Sequence, residues 1–305
     1  MRIKKLLCMS LGIMVIAGSL VGCGTTEASS TSTGTSSGTA AVVATKSNIS
    51  GTVIGSGSSA LLPLAQNAAD KFKDSYPNIS VTLNAGGSGT GLKQVADGTV
   101  DIGNSDVEAA SKLEAAQASA LVDHKVCVIT MAPVVNKDVS ATVKTLTKQQ
   151  LVDIFTAKTT NWKDVGGPDE KIILVTRPST SGTRALFKQY ALNNSEEASN
   201  ASLETDDSGT LLQNVSDNKG AIGYVALSYL VNNTKVSTVS IDGIEPTIAN
   251  TYSGKYPVWG YEHMYTKGAP KEAVKAYLDY ILSSDYATQI EAQGYCVTSK
   301  MTVTR

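Results

Sequence analysis

The eight residues Arg177-Pro178-Ser179-Thr180-Ser181-Gly182-Thr183-Arg184 put guanidinium groups, hydroxyls and one glycine into a single turn. That donor set suits a tetrahedral oxyanion. An arginine supplies permanent charge on a planar fork of N–H groups, and a hydroxyl or a free backbone amide donates without adding charge. The flanking elements place these donors. Ile172-Ile173-Leu174-Val175 reads as a strand, and a helix beginning near Thr183 shows Leu186, Phe187, Tyr190 and Ala191 on one face. At such a helix start the first amides lack intrahelical partners and the macrodipole is positive, so Ser181, Gly182 and Thr183 can converge on one anion. An ordinary surface turn with an N-cap has the same composition, and this stretch alone does not separate the two readings.

Two other loops share the construction. Ile49 to Ile54 alternates as a strand and leads through Gly55-Ser56-Gly57-Ser58-Ser59-Ala60 into a helix with Leu61, Leu64, Ala65, Ala68 and Phe72 on its buried face. Pro63 fits there because it falls in the first turn. Ile79, Val81 and Leu83 form the next strand, Gly86-Gly87-Ser88-Gly89-Thr90-Gly91 the next loop, and Leu92, Val95 and Ala96 open the next helix. Neither loop has the spacing of a dinucleotide fingerprint or a P-loop. Val100 to Ser105 then reads as a short strand with Asp106 at its tip, where the carboxylate either caps a following helix or faces a ligand.

The N-terminus carries a different signal. Met1 to Lys5 is basic, Leu6 to Val21 is mostly apolar, and the run ends Leu20-Val21-Gly22-Cys23, so residues 1–22 are expected to be a signal segment. Leu-Val-Gly-Cys resembles a bacterial lipobox, which makes Cys23 the expected lipidation site. The apolar run is shorter than the ~20 residues of a membrane span. Gly24 to Ser47 is nearly all Ser, Thr, Gly and Ala and reads, with Cys23, as a flexible tether over 23–47. Removing Arg2, Lys4 and Lys5 takes the 26 basic residues to 23 against 27 acidic, from a net charge of -1 to -4. That weighs against nucleic acid as a partner. Cys127 and Cys296 remain after Cys8 and Cys23 are set aside, and the exported compartment permits either a disulfide or two buried thiols. No Cys or His spacing suits a metal, the only histidines are His124 and His263, and no cofactor is expected.

The remaining chain alternates helix and strand, as an α/β protein with mainly parallel sheets does. Val126 to Val135 is long and β-branched enough for a central strand, and Val258 to Tyr265 is a second such run. Thr147 with Gln150 makes a capping box, with Leu146 and Leu151 as a hydrophobic staple. Helices are expected through Phe155, over Ser208 to Asn218, on the stripe Val274, Tyr277, Leu278 and Ile281, and over Asp285 to Gln293; strands are expected over Gly220 to Val225 and Val236 to Ile241.

With these blocks in hand, the chain from about 49 to 300 resembles the phosphate-binding lipoproteins of bacterial phosphate ABC transporters, a type II periplasmic binding protein family. Four segments carry the resemblance: Gly55 to Ala60 with Pro63; Gly87-Ser88-Gly89-Thr90-Gly91-Leu92-Lys93-Gln94; Asp101-Ile102-Gly103-Asn104-Ser105-Asp106; and Arg177 with Ser181-Gly182-Thr183. The resemblance implies two α/β lobes joined by two crossing strands, with lobe one over 48–130 and 261–305 and lobe two over 131–260. It implies phosphate contacts from Ser58 or Ser59, the Ala60 amide, Ser88, Asp106, Arg177, Ser181, the Gly182 amide and Thr183. It further implies delivery of inorganic phosphate to a membrane permease with its ATPase, a lipid-anchored monomer, and no catalysis. One position departs from the pattern: some members carry an acid two residues after the arginine, and here that residue is Ser179. Receptors for molybdate, tungstate or sulfate, a secreted phosphatase using Ser59 or Ser181, and a surface adhesin are the alternatives.

Overall fold

The computed structural model describes residues 48–198 and 202–305. The expected signal segment, the lipidation site Cys23 and the tether lie outside the described residues. In chain order the elements are β1 (Gly51–Gly57), α1 (Leu62–Phe72), β2 (Ile79–Ala85), α2 (Ser88–Asp97), β3 (Ile102–Ser105), α3 (Ala115–Ser119), β4 (Leu121–Asn136), α4 (Lys137–Ser140), β5 (Thr145–Leu146) and α5 (Lys148–Phe155). They continue as β6 (Ile173–Thr176), α6 (Gly182–Ala191), β7 (Ser202–Glu204), α7 (Ser208–Asp217), β8 (Ala221–Ala226), β9 (Val236–Thr238), β10 (Ser240–Ile241), α8 (Ile248–Tyr252), β11 (Trp259–Lys267), α9 (Glu272–Ile281) and α10 (Ser284–Ala292).

One sheet runs through the described residues in the order β2-β1-β3-β11-β4-β8-β6-β7, with β9 also on β4. The 16-residue β4 is its spine: Leu121 to Thr130 pairs with β11, and Met131 to Asn136 pairs with β8 and β9. At about 3.3 Å per residue such a strand is long enough to serve two half-sheets in turn. The α1, α9 and α10 layer covers one face of the first half through Val53, Leu64, Ala68, Phe72, Tyr277 and Ile281. In the second half, α5 and α6 pack one face through Phe155, Phe187 and Tyr224, while α7 packs the other through Leu211 and Val215.

Several sequence expectations are corrected. The strand pairs at the flanks, β1 with β2 and β3 and β6 with β7 and β8, are parallel, but every pair made by β4 and β11 with β3, β8 and β9 is antiparallel. The sheet is therefore mixed, because chain that passes from one half to the other and back must run in opposite directions. Val236 to Ile241 is not one strand: β9 pairs with β4, and β10 pairs with β5 in a separate two-stranded sheet. The glycine loops are also shorter than their composition suggests. Gly55 to Gly57 remains in β1, and α2 begins at Ser88, which leaves Gly86-Gly87 as the turn. Gly87 takes φ 81°, a left-handed value open to glycine at little cost. The capping box at Thr147 and Gln150 forms with both of its bonds. Cys127 and Cys296 are both buried free thiols.

Glu197 is a buried acid inside the second half. It accepts a hydrogen bond from the Tyr224 hydroxyl at 2.7 Å and faces Arg184 Nε at 3.8 Å. Burial pushes its carboxyl up from 4.5 to about 7. The folded state then holds a proton that the unfolded chain has released, so the stability it contributes is present in acid and is lost as pH rises from 4.5 through about 7. Glu197→Gln is expected to remove that slope and to gain on the parent by at most ~3 kcal/mol between pH 5 and 8. Urea denaturation at the two pH values checks this; parallel pH slopes for parent and variant would contradict it.

Candidate anion-binding site

Four helix starts meet at the seam between the half-sheets, and the strand before each one delivers it there. β1 leads to α1, β2 to α2, β6 to α6 and β7 to α7. Ser88, Ser181 and Thr183 are each at most 2% exposed, as are Ser58 and Ser59. The glycines permit this closeness. A methyl group at Gly182 would overlap Ser88 Oγ, and one at Gly87 would overlap the Asp206 carboxylate.

The structure brings the expected residues together but gives them unequal tasks. Ser58 Oγ accepts from the amides of Ala60 and Leu61 at 3.0 and 3.1 Å, so Ser58 closes its own turn and holds the Ala60 amide. Ser59 Oγ instead crosses the seam, donating to the Asp206 carbonyl at 3.0 Å and lying 2.9 Å from Ser208 Oγ. Ser88 Oγ accepts from the Asp106 amide at 3.0 Å. Thr183 Oγ1 donates to Asp106 Oδ2 at 2.6 Å, again across the seam. Ser181 is the N-cap of α6, its hydroxyl accepting from the Arg184 amide, and Gly182 opens the helix. Asp106 does not cap the short helical turn that follows it, whose N-cap is Glu108.

Arg177 is fully buried. It donates to the Asp206 carbonyl at 3.2 Å and to Ser208 Oγ at 2.8 Å, and its guanidinium carbon lies 5.8 Å from the centre of the Tyr224 ring. Its Nε has no hydrogen-bond partner, and neither does Asp106 Oδ1. Residues of the β7–α7 turn and an aromatic face therefore orient the arginine in a chain that has Ser179 where an acid could stand. Arg184 supports it from behind by donating to the Arg177 carbonyl.

Sequence reasoning missed Asp206, Ser208 and Glu262. The first two sit in Thr205-Asp206-Asp207-Ser208-Gly209-Thr210, which read as nothing more than a helix start. A weak signal was present: of the five Ser-Gly-Thr triplets in the sequence, those at Ser88-Gly89-Thr90, Ser181-Gly182-Thr183 and Ser208-Gly209-Thr210 stand at helix starts, while the one at Ser50-Gly51-Thr52 leads into β1. Asp206 is pushed up by burial, with Arg177 and the Ser181 hydroxyl acting against that. Glu262 on β11 is fully buried, and burial together with the neighbouring Asp106 holds its carboxyl well above the usual range.

A match to the PBP superfamily domain spans residues 28–285. The phosphate-binding protein PstS of Bacillus subtilis is 49% identical over 257 residues, covering 84% of each chain. The chain belongs to the PstS family of the PBP superfamily. Its fold is the two-lobed α/β architecture of type II periplasmic binding proteins. A putative phosphate ABC transporter substrate-binding protein from Clostridium perfringens, solved with bound phosphate, superposes with a TM-score of 0.74 at 30% identity, over 81% of this chain and all of that one. An ABC-type phosphate transport receptor from Vibrio cholerae, 24% identical with a TM-score of 0.63, shares the fold over 80% of this chain and 99% of its own.

Lys112 adds a tie across the seam. Its ammonium donates to the Ser179 carbonyl at 2.7 Å and reaches the Ser181 carbonyl at 3.5 Å, beside a backbone bond from the Gly89 amide to the Thr180 carbonyl at 3.0 Å. Lys112→Met keeps the stem and removes the charge-assisted bond, which contributes about 1–2 kcal/mol in such settings. The variant is expected to have a larger radius of gyration by small-angle X-ray scattering, as the seam opens. An unchanged scattering curve would show that Lys112 does not hold the halves together.

Proposed function

We propose that this PstS-family protein captures inorganic phosphate outside the cytoplasm and hands it to a membrane ABC permease driven by its ATPase. The observation that carries this reading is the pair of Arg177 and Asp106. One is a fully buried cation with an idle N–H, the other a buried carboxyl with an idle oxygen. An isolated buried charge is costly, and each of these lacks part of its complement. Phosphate at neutral pH answers both demands: its oxygens accept from Arg177 and the helix-start donors, and its remaining proton is donated to Asp106. Sulfate and molybdate bring no proton and would face the carboxylate unaided. Ser59, Ser88, Ser181, the Gly182 amide and Thr183 complete the cage, with Ser58 and Ala60 shaping the turn beneath Ser59.

The names of the relatives agree with a transport receptor, and the serines do not look primed for attack. Ser59 is engaged with Asp206 and Ser208, while His263 bonds to Asp123 and His124 to Thr266. A phosphatase nucleophile needs a base within reach. The lobes are taken as 48–130 with 261–305 against 131–260, hinged on β4 and β11 and closing on the anion. A lipid at Cys23 and the tether to Ser47 would hold a monomeric receptor beside the membrane, and no described helix is long and apolar enough to cross one.

Calorimetric titration of the parent and of Asp106→Asn tests this reading. The parent is expected to bind phosphate and to discriminate against sulfate by ~10⁴ or more, as sites built around one specific hydrogen bond do. Asp106→Asn is expected to weaken phosphate and admit sulfate. A variant that still rejects sulfate would remove Asp106 as the selecting group, and turnover of a chromogenic phosphate ester by the parent would favour the enzyme.

A further inference from the structure

Glu262 presents a problem that the anion cage does not solve. Its side chain is wholly buried, yet neither carboxyl oxygen has a hydrogen-bond donor. Strand register shows what lies beside it. β11 runs antiparallel to β3 with Met264 opposite Asn104 and His263 opposite Ser105, and the ladder ends there, one residue short of Glu262 on β11 and of Asp106 beyond β3. On the other side Glu262 is opposite Cys127 of β4. The two carboxyl groups are neighbours in the buried interior. Asp106 Oδ1, like both oxygens of Glu262, has no donor, and two acceptors face each other without a hydrogen between them.

The other groups facing Glu262 do not supply a charge. Cys127 is a thiol that burial keeps protonated, with Glu262 itself adding to that effect. Tyr295, from the C-terminal segment, is held neutral by burial in the same way. On its own strand, His263 turns to Asp123 at 2.9 Å. Among the described residues, Asp106 is thus the charged group that acts on Glu262. Two adjacent buried carboxylates would repel each other and any incoming dianion. Asp106 already accepts from Thr183, so the negative charge is better placed there and the proton on Glu262.

We propose that Glu262 is the positioning residue of the selectivity site: an acid that, while it keeps its proton, donates to Asp106 Oδ1 and holds the cage at one carboxylate charge. This rests on the phosphate reading above. One proton stays on a Glu262 oxygen and is not passed to the ligand. Asp106 keeps lone pairs for the proton of phosphate, and its orientation is fixed from both sides, by Thr183 across the seam and by Glu262 from the adjoining strand. Raising pH until Glu262 ionises would place a second charge behind Asp106, and phosphate would be expelled.

The test compares the full-length parent, Glu262→Gln and Glu262→Leu. Gln supplies an N–H donor in the same place but cannot ionise; Leu fills the volume and donates nothing. Infrared difference spectra at pH 8 are expected to show a protonated-carboxyl band in the parent that Glu262→Gln lacks. Phosphate affinity, followed by calorimetry from pH 6 to 10, is expected to fall steeply at the alkaline end in the parent and to stay flatter in Glu262→Gln. At neutral pH Gln is expected to retain binding that Leu loses by ~10-fold or more, the scale of an unsatisfied buried acceptor. Absence of the band, or superimposable pH profiles for parent and Gln, would overturn the proposal. If the parent binds no phosphate at any pH, the transport reading fails, and the infrared band still decides whether Glu262 holds the proton.

Discussion

A guanidinium and a carboxyl buried on opposite sides of one seam, each with an unsatisfied valence, set the terms for the rest of this protein. Charge inside a protein must be matched by counter-charge and hydrogen bonds. Arg177 donates to a carbonyl and a hydroxyl and faces an aromatic ring, with the carboxyl of Asp206 near enough to feel its charge, while Asp106 meets Thr183 and the acid Glu262. Folding leaves the match incomplete in one spot. On the reading proposed above, a ligand that is anionic and still carries a proton completes it, and the four helix starts add their dipoles.

The sheet makes such a site possible. β4 belongs to both halves, pairing with β11 over its first part and with β8 and β9 over its second. Each half has a main core of its own, with a smaller cluster of Val128, Trp259 and Cys296 where the connecting strands and the C-terminal segment meet. Polar contacts cross the seam at several points: Lys112 to Ser179, Gly89 to Thr180, Ser59 to Ser208 and Thr183 to Asp106. Bonds of this kind are individually modest in net free energy.

How much of this was legible from sequence follows from the range of each cause. Strand, small-residue turn and helix start are local patterns, and they revealed the loops at Ser59, Ser88 and Ser181 together with the buried strand ends carrying Asp106 and Arg177. Antiparallel pairing in the middle of the sheet was not legible, because direction depends on which half the chain has just left. The extent of the glycine loops was misread for another reason: Gly55 and Gly57 have the composition of a turn but continue the ladder of β1 against β2 and β3. Asp206 and Ser208 were hidden because their turn lacks the glycine richness of the others, although Ser-Gly-Thr was there to be counted. Glu262 could not be found by pattern at all. A single acid in an aromatic strand acquires meaning only when the folded chain brings it beside Asp106.

Thermal unfolding of the ligand-stripped chain, titrated separately with phosphate, sulfate and molybdate, tests the central claim most directly. An anion that binds only the folded state raises its stability by RT ln(1 + [L]/Kd), or ~2.7 kcal/mol at a hundredfold excess over Kd. The account expects a clear upward shift with phosphate and none with sulfate or molybdate at the same concentrations. A shift of equal size with sulfate would contradict it, because the buried carboxyl would then not be selecting for a protonated anion.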